Sequence, residues 1–143
     1  MITVRQLLAN KAPTVWTVSR EASVYEALEL MSSKDVGAVL VTDGGRVIGI
    51  LSERDYARGV VLAGRSSRQM TVGELMSSPV LYVRPEHTIN DCMSLMTNKR
   101  VRHLPVLERD RLIGIVSIGD VVKQIISEQE SRIQELENYI RGF

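Results

Sequence analysis

An internal repeat constrains this chain more than any other feature of its sequence. A shift of 65 residues aligns positions 14–58 with positions 79–123 without a gap. A shorter lead-in also recurs, because residues 3–8 resemble residues 71–76. Two copies of one supersecondary unit are expected to pack together, since each needs the other to bury its apolar face. The densest identities are Ile48-Gly49-Ile50 over Ile113-Gly114-Ile115, Ser52 over Ser117, and Asp55 over Asp120.

Each copy is predicted to contain a strand, a helix, two further strands and a closing helix, which makes the fold α+β with two β-α-β-β-α units. The first helix of each copy follows an N-cap, Ser23 or Thr88, and carries apolar residues at helical spacing. The closing helices are predicted to begin near Glu53 and Ile118. The predicted strands are 15–18, 39–42 and 46–51 in the first copy, and 80–83, 104–107 and 111–116 in the second.

Composition narrows the classes of function. The chain has 143 residues, with 18 basic and 17 acidic side chains. This balance argues against a nucleic-acid partner and against a polybasic membrane anchor, because both need a basic excess. The apolar runs are far too short to cross a bilayer, the first residues lack the pattern of a secretory signal, and a single cysteine excludes an intrachain disulfide. We therefore expect a soluble, cytoplasmic protein.

In both copies a hydroxyl and a carboxylate lie three residues apart, where a predicted strand becomes a helix. Ser52 with Asp55, and Ser117 with Asp120, fit a helix-capping box. The same geometry fits a ligand, because a helix N-terminus attracts phosphate and a carboxylate suits the neutral diol of a ribose. The neighbouring β-branched strands would supply apolar walls for a base. The pattern therefore predicts capping and, beyond it, recognition of a ribose phosphate.

These motifs resemble the cystathionine-β-synthase (CBS) domain, and two of them in tandem resemble a Bateman module. The resemblance rests on segments 27–31, 37–41 and 49–55 of the first copy and on segments 102–106 and 114–120 of the second. It implies a pseudo-twofold pair of units with a cleft between their sheets and two possible ligand sites. It also implies an adenosyl ligand, with AMP expected first and ADP, ATP, S-adenosylmethionine or NAD as alternatives.

The resemblance also implies which residues contact the ligand. The Ser and Asp of each copy are expected at ribose and phosphate, and the opening segment of each unit at the base. Arg102 and His103 match a basic pair that faces phosphate, and they are expected to serve the site of Asp55. His103 would make phosphate binding pH-dependent, because an imidazole titrates near neutrality and its charged form suits a phosphate. Arg54 is expected at the site of Asp120, with a solvated surface charge as the alternative. The complete predicted set is Ser52, Asp55, Ser117, Asp120, Arg102, His103, Arg54, Thr14, Val15, Pro79 and Val80.

No catalytic or metal site is predicted. The two histidines, His87 and His103, have no second type of zinc ligand clustered with them, and Cys92 falls on an apolar helix stripe typical of a core residue. We therefore expect a regulatory module that controls an unidentified protein and catalyses nothing. Two alternatives stay open: a ligand-free module that acts through protein contacts, and a small NAD-linked redox regulator.

The last segment is predicted to form one long helix over residues 124–141. Its apolar spacing is typical of a short coiled coil, so we expect a partner helix and a homodimer, with folding back onto its own unit as the alternative. The predicted division is 1–68 for the first CBS unit with its lead-in, 69–125 for the second, and 126–143 for a helical extension. The predicted seam is Ile126, Ile133 and Ile140, with Gln129, Leu136 and Phe143.

Overall fold

The computed structural model of the protein describes residues 2–11 and 14–142, and its elements follow the repeat. The predicted α+β fold of two units with a C-terminal helix is confirmed. The helices are α1 (Val4–Ala9), α2 (Val24–Lys34), α3 (Glu53–Tyr56), α4 (Val72–Leu75), α5 (Ile89–Lys99) and α6 (Ile118–Ile140). The strands are β1 (Thr17–Ser19), β2 (Ala38–Asp43), β3 (Arg46–Ser52), β4 (His103–Glu108) and β5 (Arg111–Ser117).

The first unit is a three-stranded sheet that packs against α2. β1 is parallel to β2, and β2 is antiparallel to β3. α2 begins after Ser23, whose hydroxyl accepts a hydrogen bond from the Glu26 backbone N–H at 3.0 Å, as the capping prediction requires. The apolar face of α2 is buried against the sheet, which removes its side chains from water and stabilises the unit. This core contains Ala27, Met31, Val39, Val41 and Leu51.

The second unit repeats the hairpin of the first with the same 65-residue shift. Ala38 pairs with Ser52 in the first unit, and His103 pairs with Ser117 in the second. Each hairpin has a register shift at the matching place, directly after Val41 or directly after Val106. The end of the second strand, where the following helix begins, is therefore built alike in both units.

The opening strand of the second unit is the main departure from the predicted elements. The predicted strand 80–83 reduces to one parallel bridge between Val83 and Val106. The segment before it instead pairs with the first unit, because Ser77 and Ile50 exchange backbone hydrogen bonds of 2.9 and 3.2 Å. In the first unit the predicted strand 15–18 is also displaced, since β1 begins at Thr17.

Each lead-in helix packs on the opposite unit. Val4 and Leu7 of α1 are buried in the core of the second unit, whereas Val72 of α4 is buried in the core of the first. The repeated glycines make room for this contact, because a Cβ built on Gly114 would lie 2.7 Å from Leu8 Cδ2. The lead-in α1, which the predicted division groups with the first unit, thus buries its apolar face against the second.

The two closing helices differ in length. α3 continues only as a π-helical turn over Ala57–Val61, whereas α6 runs for 23 residues without a break. The predicted division between residues 125 and 126 therefore falls inside one continuous helix. Val121 and Ile125 pack in the second unit, but Ile133 and Leu136 are 56% and 62% exposed, so this part of α6 does not fold back onto the protein. Phe143 of the predicted seam lies outside the described residues.

Candidate functional site

A cavity of about 610 Å³ lies between the two units, at the point where β3 ends and α3 begins. We call it the Asp55 cleft. One side is polar and carries Ser52 and Asp55, and Gly37, Ser77 and His103 also line the cavity. The apolar part of the lining is Ile50, Pro79, Val80, Leu81 and Val101. The structure thus brings the predicted Pro79 and Val80 to the same cavity as the predicted Ser52 and Asp55.

Ser52 and Asp55 form a reciprocal capping box at the start of α3. The Ser52 hydroxyl accepts a hydrogen bond from the Asp55 backbone N–H at 3.2 Å. Asp55 Oδ2 in turn accepts hydrogen bonds from the Ser52 backbone N–H and the Ser52 hydroxyl, both at 2.9 Å. The capping interpretation is confirmed. Both bonds end on Oδ2 and neither uses Oδ1, so the carboxylate keeps an acceptor while it caps the helix.

The lining of the Asp55 cleft contains four arginines and two carboxylates, those of Glu53 and Asp55, so positive charge is in excess. Arg102 lies in its lining, as the predicted pairing with Asp55 requires, and Arg58 and Arg100 line it as well. Arg54, which was expected at the site of Asp120, also lines this cleft. Arg54 lies between Ser52 and Asp55 in the first turn of α3, which places it beside the cleft that this pair lines.

His103 lies at the first position of β4 and is half-buried. Burial lowers the pKa of His103, and Lys11 and Arg102 lower it further, against the opposing effect of Asp120 and Asp55. A histidine with a pKa below its usual value of about 6.5 is mostly neutral at pH 7. The lowered pKa favours the neutral ring, which offers one donor and one acceptor, so the charged form that suits a phosphate is reached at lower pH.

The second Ser/Asp pair caps α6 and carries a contact that the first lacks. The Ser117 backbone N–H donates to Asp120 Oδ2 at 2.9 Å, and Lys11 Nζ donates to the same oxygen at 2.6 Å. We call Lys11, Ser117 and Asp120 the Asp120 site. Although burial alone would raise the pKa of Asp120, hydrogen bonds from Lys11 and Ser117 hold it below its usual value. Thr14 and Val15 precede β1, at the repeat positions of Pro79 and Val80.

Three residues of these sites were missed by sequence reasoning. The sequence contains only a weak indication that Arg58 and Arg100 belong to the site. Arg58 follows the predicted start of a closing helix, and Arg100 stands at the end of the first helix of the second copy. Lys11 had a clearer one: five residues, 9–13, separate the lead-in from the unit in the first copy, whereas two, 77–78, do so in the second. Because Lys11 lies in the longer connection, this difference in length indicates that the two copies differ in structure close to the candidate site.

Other reactive groups in the described residues do not form a site. Cys92 is fully buried, and burial raises its pKa to about 11, which keeps the thiol protonated and unreactive. Across residues 2–11 and 14–142, histidine, cysteine and carboxylate side chains form no group of three that could hold a metal ion. None of the helices in these ranges is long and apolar enough to cross a membrane.

Comparison with known families matches the two units separately. The family model described as "CBS domain" matches residues 4–61 and again residues 72–127. Each matched range contains one Ser/Asp pair and one lead-in helix. The family match thus divides the chain where the internal repeat divides it.

Individual relatives agree in sequence and structure. The chain is 40% identical over 125 residues to "CBS domain-containing protein CBSX3, mitochondrial" of Arabidopsis thaliana, and the match covers 84% of this chain and 61% of that protein. It therefore spans about three fifths of that relative. A solved structure of a protein with CBS domains from Burkholderia ambifaria MC40-6 has a TM-score of 0.85 and 49% identity, over 89% of this chain and 96% of the other. The solved structure of the hexameric CBS-CP12 protein of bloom-forming cyanobacteria has a TM-score of 0.77 and 27% identity. The match covers 85% of this chain and 70% of the other.

Proposed function

Because the chain belongs to the CBS-domain family and carries two such domains in tandem, we propose that it is a regulatory module that senses an adenine nucleotide, with AMP as the first candidate. The Asp55 cleft is the observation that carries this proposal. It places a capped carboxylate, four guanidinium groups and an apolar wall around one cavity. Its volume of about 610 Å³ falls in the range of small-molecule sites, about 300–1,000 Å³.

The parts of a nucleotide match the parts of the cleft. Asp55 would accept hydrogen bonds from the ribose diol, a neutral donor that does not repel a carboxylate. Arg102, with its five N–H donors, suits the phosphate. Ile50, Val80 and Leu81 would cover the faces of the base. ADP, ATP and NAD carry the same adenosine phosphate and are the alternative ligands.

Calorimetric titration with AMP, adenosine, ADP, ATP and NAD tests the proposal. We expect AMP to bind with a Kd in the micromolar range, roughly −8 kcal/mol. Arg102→Ala should weaken AMP binding about tenfold and adenosine binding much less, because a charge-assisted hydrogen bond to phosphate is lost. Arg132→Ala, on the distal part of α6, is the matched control and should change neither.

The same titrations separate the alternatives. Absence of binding by every nucleotide would overturn the proposal in favour of a ligand-free module that acts through protein contacts. Oxidation or reduction of NAD(H) by the purified protein would instead support the redox regulator. An Arg102→Ala protein that loses AMP and adenosine equally would show that Arg102 shapes the cavity rather than neutralising charge.

The proposal includes no catalysis, a cytoplasmic location and a homodimer joined through α6. The distal part of α6 leaves Ile126, Ile133, Leu136 and Ile140 between 49% and 81% exposed. Such an apolar stripe on a helix is stabilised by a second helix, and a hexameric relative shows that proteins with this fold assemble. A nucleotide signal would then pass to a partner protein through the assembly.

Introducing charge into the stripe is expected to weaken this dimer at least tenfold. Ile133→Asp/Leu136→Asp removes two apolar side chains whose burial would each contribute about 1.5–3 kcal/mol. Gln134→Asp adds a charge to the same helix off the stripe and is the control. Light scattering across a dilution series measures the mass. An unchanged mass in the double variant would contradict assembly through α6.

A further inference from the structure

Lys11 makes two close contacts in the Asp120 site. Its ammonium group donates to the backbone oxygen of Ile115 at 2.7 Å and to Asp120 Oδ2 at 2.6 Å. The ion pair is not a loose surface pair, because the two side chains are only 29% and 24% exposed. An ammonium group has three N–H donors, so two are used by these contacts and one remains.

The lysine takes the place that a serine hydroxyl holds in the first unit. In the Asp55 cleft, Oδ2 of the aspartate accepts from the Ser52 backbone and from the Ser52 hydroxyl. In the Asp120 site, Oδ2 accepts from the Ser117 backbone and from Lys11. Both aspartates are therefore held through the same oxygen, but only Asp120 is held by a cation.

The crossed packing of the lead-in puts Lys11 there. Because α1 packs on the second unit, the chain leaves α1 beside the end of β5 and must cross to reach β1 of the first unit. The connection is longer in the first copy, residues 9–13 against residues 77–78 in the second, and Lys11 of this connection contacts the start of α6 through Asp120. Lys11 lies in that extra length and has no counterpart in the other copy.

The Asp120 site also lacks the charges that serve the Asp55 cleft. The repeat positions of Arg102 and His103 are Gly37 and Ala38, and that of Arg54 is Gly119. The Asp120 site therefore has no counterpart of these side chains from the first copy, and His103, which Asp120 influences from the second unit, has a lowered pKa and favours its neutral form. Lys11 is the described cation in contact with the Asp120 carboxylate, and its pairing reduces the repulsion between this carboxylate and a phosphate.

We propose that Lys11 is the positioning and charge-bearing residue of the Asp120 site, orienting the carboxylate for a ribose diol and supplying the counter-charge for the phosphate of the same ligand. This inference rests on the proposed function and extends it. The two sites of the module then bind phosphate by different means, the Asp55 cleft through arginines and the Asp120 site through a lysine from the lead-in. Lys11 thereby couples occupancy of the Asp120 site to the packing of α1.

The test is a site-resolved titration of the full chain with AMP and with adenosine, followed by backbone amide NMR. The Gly119 amide reports the Asp120 site, and the Glu53 amide reports the Asp55 cleft. Lys11→Met, which keeps most of the side-chain volume, should weaken AMP at the Asp120 site about ten- to a hundredfold. The ratio of AMP to adenosine affinity should fall at this site and stay unchanged at the Asp55 cleft. Lys99→Met, at the exposed end of α5, is the control.

A second measurement needs no nucleotide. The carboxyl carbon of Asp120 should titrate at a higher pKa in Lys11→Met than in the unsubstituted chain, because the paired cation is gone. An unchanged or higher AMP affinity at Gly119 in Lys11→Met would overturn the inference while the proposed function stands. So would an equal loss of AMP and adenosine, or a pKa of Asp120 that does not move. A chain that binds no nucleotide at either amide would overturn the proposed function and this inference together.

Discussion

Leu7→Ala is expected to lower the free energy of unfolding by about 2–5 kcal/mol, the usual cost of emptying a buried leucine site. Leu7 lies in α1, near the N-terminus, yet it is only 6% exposed and packs in the core of the second unit. The loss should therefore appear far from the substitution in sequence. Denaturant unfolding measures the loss of stability, and hydrogen exchange of the backbone amides shows which elements are destabilised.

Leu62→Ala is the matched control, because Leu62 is 80% exposed and the same atoms are removed from a site that contacts water. It should change stability by no more than about 0.5 kcal/mol. In Leu7→Ala, amide protection should fall more in β4 and β5 than in β2 and β3. Greater loss in β2 and β3 would show that the lead-in supports the first unit, against the packing described above.

Asp55→Asn is expected to weaken AMP binding at the Asp55 cleft about ten- to a hundredfold while the fold stays intact. Asparagine keeps the shape of the side chain and an oxygen that can still accept from the Ser52 backbone, so most of the cap survives. What it loses is the charge that strengthens a hydrogen bond from the ribose diol. Calorimetry and thermal unfolding of the same sample measure the two effects.

Asp91→Asn is the control for capping alone. Asp91 forms a box of the same kind with Thr88 at the start of α5, with bonds of 2.9 and 3.2 Å, and it does not line the Asp55 cleft. The two substitutions should cost similar stability, and only Asp55→Asn should cost affinity. Equal affinity in both variants, with a lower melting temperature, would leave Asp55 as a helix cap and remove the ribose contact from the proposal.

Local patterns in the sequence determined the repeated parts of the protein. The caps at Ser23 and Thr88, the paired hairpins and the Ser/Asp boxes all depend on residues a few positions apart, so spacing and residue type suffice to predict them. These predictions were reliable because the same pattern occurs twice, and each copy supports the reading of the other.

Tertiary structure alone decided the features that depend on contacts between the copies. The lead-in α1 packs on the second unit, Ser77 just before the predicted strand 80–83 exchanges hydrogen bonds with Ile50 of the other sheet, and Arg54 lines the Asp55 cleft. The lowered pKa of His103 follows first from its burial, and the role inferred for Lys11 follows from a contact with a residue 109 positions away. Neighbours so distant leave no periodic pattern in the chain, because only packing brings them together.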